Sequence, residues 1–112
     1  MNHIAEAASR LSSMPKRVGA AVIKNGKVLG VGYNRTGYTT RTPKAWSRHA
    51  EVQAVIQAGN VRGSTVYVYR GHRLTDSPLL ARPCTTCMEL LSIAGVRKVV
   101  YSSPKGWMQE KV

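Results

Sequence analysis

The chain has two cysteines, Cys84 and Cys87, three residues apart and directly after Pro83. A disulfide between them would close too small a loop to restrict much of the unfolded chain. In a cytosolic protein this spacing points instead to a metal clip or a redox pair. A length of 112 residues is that of one small domain, with no room for a second core. Such a domain is marginal on core burial alone and commonly needs a staple or a partner subunit.

The remaining composition narrows the class. At 43% hydrophobic and 20% charged residues, the chain is ordinary globular material, which excludes disorder and collagen-like structure. No apolar run approaches the roughly 18 residues of a membrane span. Residues 1–14 lack the basic start and apolar centre of a signal peptide, so a cytoplasmic protein without membrane association is expected. Seventeen Lys and Arg against five Asp and Glu give a net charge of +12. Such a surface attracts phosphorylated molecules and polyanions, single-stranded nucleic acid among them, and charge alone cannot choose between these.

Helices and strands alternate along the chain. Ile4, Ala7, Ala8 and Leu11 give helical spacing over 3–13, ended by Pro15. Residues 18–23 (VGAAVI) read as a buried strand. Asn25-Gly26 is a hairpin turn, and 27–33 (KVLGVGY) returns beside the first strand. Residues 34–47 show no period and predict a long loop. A helix over 48–58 follows, with Ser47 as cap, Val52, Val55 and Ile56 as its apolar stripe, and Gly59-Asn60 as its end. Residues 64–70 (STVYVYR) form a strand whose valines and tyrosines face opposite sides. After a loop, Pro83 opens a helix over 84–94 with Met88, Leu91 and Ala94 inward, and Gly95 stops it. Residues 96–101 (VRKVVY) are a last strand, and the tail from Ser102 has no firm assignment. The order predicts a three-layer α-β-α sandwich around a mixed sheet, its first pair a hairpin and its later strands joined by helical crossovers.

Two segments carry chemistry, His49-Ala50-Glu51 and Pro83-Cys84-Thr85-Thr86-Cys87. Each sits at a predicted helix start. One turn of helix puts both sulfurs on one side, and the positive end of the helix dipole favours thiolate. Two thiolates and one imidazole make a three-ligand zinc site with a fourth position open for water, the catalytic rather than the structural pattern. Zinc would bring the pKa of that water to around 7. Glu51 lies two residues beyond His49, a spacing that turns it off the ligand's ray and leaves it to move protons. Taken singly, the thiols could be buried core groups, His49 a satisfied core histidine and Glu51 a first-turn acid. His3 and His72 have no partners at ligand spacing and are expected on the surface.

His-x-Glu followed by Pro-Cys-x-x-Cys resembles the zinc-dependent cytidine and deoxycytidylate deaminase superfamily, for which that signature is established. Residues 18–33 look like its first hairpin and 31–34 (VGYN) like its Gly-x-Asn ending. Residues 49–58 and 83–101 look like its two site helices, with the strand after the second. The pattern is most similar to small deoxycytidylate-type members, including short versions carried by tailed bacteriophages. The resemblance implies one Zn²⁺ per chain held by His49, Cys84 and Cys87, with Glu51 as catalytic acid and base. It implies substrate contacts from Asn34 and from the backbone N–H groups of Ala50 and Cys84. The product would be uracil from cytosine in a free nucleotide or nucleoside, dCMP or CMP first. It also implies a homo-oligomer working in the cytoplasm, the host's if a phage carries the gene.

The segment 34–48 holds Arg35, Arg41, Lys44, Trp46 and Arg48. Basic residues interleaved with aromatics could grip a phosphate and stack a base, or form a solvated loop with Trp46 packed on the domain. Two other functions are carried forward. One is a polynucleotide deaminase acting on single-stranded DNA, RNA or tRNA, where adenine is a further candidate base. The other is a zinc-stapled binding module without turnover. Enzymes of the family that act on free deoxycytidylate often carry longer insertions with extra metal or regulator sites. This chain has neither such an insertion nor a spare cysteine.

Overall fold

The computed structural model describes residues 2–12, 16–39, 42–48, 50–72, 75 and 77–112, with backbone alone at 2, 16, 35–39 and 42–48. The elements run α1 (Asn2–Ser9), β1 (Lys16–Lys24), β2 (Lys27–Tyr33), β3 (Arg35–Thr39), β4 (Thr42–Arg48), α2 (Ala50–Ala58), β5 (Thr65–His72), β6 (Pro78–Leu79), α3 (Thr85–Ala94), β7 (Lys98–Ser103) and β8 (Gly106–Lys111). The main sheet has the order β2-β1-β5-β7-β8, with β6 paired to β5. It is mixed: β5 and β7 are parallel, joined across α3, and the other neighbours are antiparallel. The expected hairpin is present at Asn25 (φ 52°) and Gly26 (φ 77°), both in the left-handed region that a two-residue turn of this kind requires.

Two apolar clusters cover the two faces of the sheet. Ala5, Ala21, Ile23 and Tyr69 pack together on the α1 side. Val22, Val66, Val68, Val99, Ala54 and Leu91 belong to the larger cluster under α2 and α3. The alternation along β5 does this: Val66 and Val68 turn one way, Tyr67 and Tyr69 the other. The layers are therefore the α-β-α arrangement that the sequence predicts.

Helix α2 differs from expectation in a way that matters for the site. Its buried side is Ala50, Glu51 and Ala54, while Ile56 is 69% exposed. The reason lies in β2. A β-carbon on Gly32 would strike the backbone of Ala50 and Ala54, and one on Gly30 would strike that of Ala54 and Ala58. The helix axis comes so close to the strand that only alanines fit between them; of the expected stripe, Val55 packs against the core cluster, Val52 is half-buried and Ile56 turns outward. The Gln57 carboxamide oxygen also accepts the Val31 N–H at 2.6 Å, fastening the helix to this edge strand.

Four further boundaries depart from the sequence reading. Within the expected loop, residues 35–39 and 42–48 are antiparallel strands, β3 against β4, with Arg35 opposite Arg48 and Thr36 opposite Ser47. Ser47 accordingly lies in β4, and α2 starts at Ala50 without it. Helix α1 ends at Ser9, followed by tight turns through Ser12, well before Pro15, which lies outside the described residues. The unassigned tail is β8, paired along β7 from Ser103–Gly106 to Lys98–Lys111. Among the described residues no helix is long and apolar enough to cross a membrane.

Replacing Gly32 by Val should push α2 off the sheet. We expect a loss of about 1–3 kcal/mol from overpacking, read as a fall in melting temperature of about 4–8 °C per kcal/mol. An unchanged melt would mean that the close approach is not needed.

Candidate active site

The N-terminal ends of α2 and α3 converge beneath the larger cluster. Cys84 is the N-cap of α3, with extended backbone (φ −67°, ψ 165°), and its carbonyl accepts the Met88 N–H at 2.9 Å. It is thus the residue before the helix rather than its first turn, and its sulfur makes no capping bond. Cys84 is exposed; Cys87, one turn on, is buried. Glu51 is only 5% exposed, a rare condition for a carboxylate.

These three side chains come together. Burial pushes the Cys87 thiol well above the usual thiol range; the nearby charge of Glu51 and the adjoining Cys84 push it further the same way. A buried thiol pressed between a carboxylate and a second sulfur is an electrostatically costly trio, the kind of donor set that a soft divalent cation relieves. Among the described residues no group of three His, Cys, Asp or Glu is gathered as a metal site. His49 lies outside the described residues, between the end of β4 at Arg48 and the start of α2 at Ala50.

Asn34 stands at the end of β2, where it is held on three sides. Its N–H donates to the Val18 carbonyl at 3.0 Å, and its side-chain oxygen accepts the Val18 N–H at 2.8 Å. Its own carbonyl accepts the Ser12 hydroxyl at 2.8 Å. Residue 34 therefore continues the β1–β2 ladder through its side chain. The β3–β4 hairpin begins at the next residue and ends just before 49, so it is inserted between two of the candidate site positions. Arg35, Lys44, Trp46 and Arg48 lie on its two strands, described by backbone alone, and Arg41 lies outside the described residues.

The approach to Cys84 is anchored by residues that spacing alone does not single out. The buried Ser102 hydroxyl accepts the Arg70 N–H at 3.0 Å and donates to the Leu79 carbonyl at 2.8 Å, where β6 and β7 part. The Ala81 N–H donates to the Ser102 carbonyl at 2.9 Å. Arg82 then grips Glu110 on β8 with two bonds, at 2.6 and 3.2 Å, and the Tyr101 hydroxyl donates to the same carboxylate at 2.8 Å. The Arg82 guanidinium, helped by that hydroxyl, holds the Glu110 carboxyl below the usual glutamate range. Segment 79–82 is tied to β7 and β8 before Pro83 and Cys84 emerge from it. The only sequence signal for this was the scarcity of acids, of which Glu110 is one of five.

Known proteins resemble this chain. A riboflavin biosynthesis protein, RibD, of Aquifex aeolicus is 33% identical over 93 residues, covering 77% of this chain but only 21% of that protein. The deoxycytidylate deaminase of Mycobacterium phage D29 is 27% identical over 123 residues, covering 88% of each. The crystal structure of the dCMP deaminase of cyanophage S-TIM5 in complex with dCMP and dUMP is similar at 28% identity and a TM-score of 0.65, covering 89% of this chain and 76% of that one. The family described as the cytidine and deoxycytidylate deaminase zinc-binding region matches residues 1–103. That match takes in the β1–β2 hairpin, both converging helix starts and the strand after the second, and on it this chain belongs to the cytidine and deoxycytidylate deaminase family.

Proposed function

We propose that residues 1–112 form one catalytic domain, a zinc-dependent hydrolytic deaminase that converts cytosine to uracil in a free nucleotide or nucleoside, dCMP or CMP before others. The observation that carries this reading is the buried Glu51 carboxylate against the buried Cys87 thiol, with Cys84 beside them, at two helix starts. The likeness to a phage deoxycytidylate deaminase of nearly the same extent supports the substrate class. So does the cyanophage enzyme, whose structure holds dCMP and dUMP.

The donor set fits zinc: two soft sulfurs one turn apart, with an imidazole from His49 as third ligand, for one ion per chain. When bound there, zinc supplies a hydroxide-like nucleophile at neutral pH. The rest is the work of this chain's side chains. Glu51 takes a proton from the attacking water and gives it to the ring nitrogen beside C4, then takes the remaining proton from the new C4 hydroxyl and delivers it to the departing amine, leaving the C4 carbonyl. Water's oxygen bonds to C4, the bond from C4 to the exocyclic nitrogen breaks, and ammonia leaves. The Ala50 and Cys84 N–H groups, at helix starts where the first donors lack intrahelical partners, hold the base carbonyl. Asn34 holds the base or sugar from its fixed mount on β1. The hairpin bearing Arg35, Arg41, Lys44 and Arg48 meets the 5′-phosphate, and Trp46 offers a stacking face.

The net charge of +12 favours one alternative, a deaminase of single-stranded DNA, RNA or tRNA. Purified protein offered cytosine and adenine nucleosides, their monophosphates and single-stranded oligomers separates the two by ammonia release. Turnover of dCMP or CMP is expected, lost by at least about 10²-fold in Glu51→Gln with zinc still bound. Conversion of oligomers alone would transfer the site to the alternative. Equal behaviour of the variant and wild type in every assay would leave a zinc-stapled binding module.

Metal removal should loosen the fold, because the ion joins the two helix starts. With metal loss confirmed by elemental analysis, the melting temperature should fall by an amount matching about 3–4 kcal/mol, the value for a ligand at several hundred times its Kd. A chelated sample that melts like the original contradicts the assignment.

Self-association completes the reading. Ile56 on α2 and Leu90 and Ile93 on α3 are exposed, Ile93 at 83%, and such side chains are commonly covered by a second copy. Light scattering at micromolar concentration should give more than the monomer mass; a monomer alone rejects this.

A further inference from the structure

The end of the sheet opposite the candidate site carries a row of basic residues that the deaminase reading does not use. Lys24 closes β1 and Lys27 opens β2, paired across the hairpin turn. Lys98 opens β7 opposite Lys111 near the end of β8. Arg62 and Arg97 lie in the connections beside them, where the Gly63 N–H donates to the Gly95 carbonyl at 2.8 Å and the Arg97 N–H to the Ser64 carbonyl at 2.8 Å. Those bonds make the strand ends one continuous edge. Lys24 reaches over Gly63, its Cε 3.9 Å from where a β-carbon there would stand, and the Arg62 stem packs against Gly95. Five of the six are exposed and Lys98 is half-buried.

None of the described acidic side chains is shown paired with them. Glu6 pairs with Arg10 at 3.1 Å, Glu51 is buried at the other end, and Glu89 lies within α3. Glu110 borders the row but is neutralised by Arg82. Arg97, Lys98, Gln109, Glu110 and Lys111 line a groove of about 590 Å³. Five strands at about 4.8 Å spacing make the edge about 19 Å long, enough for about five phosphates of one strand at B-form rise. The ten residues of α3 hold this edge about 15 Å from Cys84.

We infer that this edge binds the phosphodiester backbone of a nucleic acid strand, without reading its sequence and apart from the deaminase site. A concave row of cations with an amide in the groove suits a linear polyanion. A lipid surface is better met by an amphipathic helix lying flat, and here α2 and α3 end at the edge instead of lying along it.

The test is binding of a labelled oligothymidylate, which offers the site no cytosine, across a salt series. The triple variant Arg97→Ser, Lys98→Ser, Lys111→Ser should bind more weakly, with a log–log salt slope shallower by about two. Its turnover of free nucleotide should match wild type, which separates this inference from the assignment of the site. Lys24→Ser with Lys27→Ser, at the far end of the row, should lower the slope by about one and serves if the triple variant does not fold. A slope unchanged in both variants overturns the inference, with or without a lower melting temperature. So does equal binding of phosphatidylserine–phosphatidylcholine vesicles, lost in the same variants.

Discussion

Helix α2 lies on the backbone of β2 because Gly30 and Gly32 remove the side chains that would hold it away. The helix contributes Ala50 and Ala54 to the contact and turns Ile56 outward. That close seat brings the start of α2 down beside the start of α3, so Glu51 is carried into the interior next to Cys87. A helix resting on ordinary strand side chains would stand further out and leave the carboxylate in solvent. The arrangement spends apolar surface to place a charged group, and Ile56 is left exposed as a result.

The interior end of the site is held together against its own electrostatics. Burial and the charge of Glu51 both disfavour a thiolate at Cys87. A cation held there, as proposed, would reverse that balance, since sulfur deprotonates on binding a metal. The supports around it are neutral or internally paired: Ser102 ties β6 to β7, and Arg82 ties the approach segment to Glu110 and Tyr101. The segment leading to Cys84 is thus fixed from behind by the last two strands.

Charge is distributed with the same economy of acids. Those described are buried beside the site, paired to a neighbouring arginine, or set within a helix. The lysines and arginines at the far edge of the sheet keep their full field. A single fold therefore presents two ends of different character: one where helix starts converge on a buried acid, and one where strand ends and helix ends meet unbalanced cations.

Much of this was legible in the residues. Asn25-Gly26 specified the hairpin, Gly95 the end of α3, and the alternation in 64–70 the two faces of β5, because each is a local conformational preference that the fold leaves in place. The motifs around Glu51, Cys84 and Cys87 pointed to the family that the match over residues 1–103 shows. Local pattern failed where a contact distant in sequence overrode it. Ile56, placed by spacing on the apolar stripe of α2, turned outward because the glycines of β2 let the helix seat on its alanines, while Val55 of that stripe does pack on the core. The aperiodic 34–48 became a hairpin because cross-strand bonds, not side-chain periodicity, pair it. The tail became β8 by pairing with β7. What the sequence determined by itself was therefore the family, through its short motifs, and the alternation of elements. The tertiary structure alone decided that Glu51 is buried against Cys87, that Glu110 secures the approach to Cys84, and that six cations share one edge, because each of these is set by how closely separate elements approach.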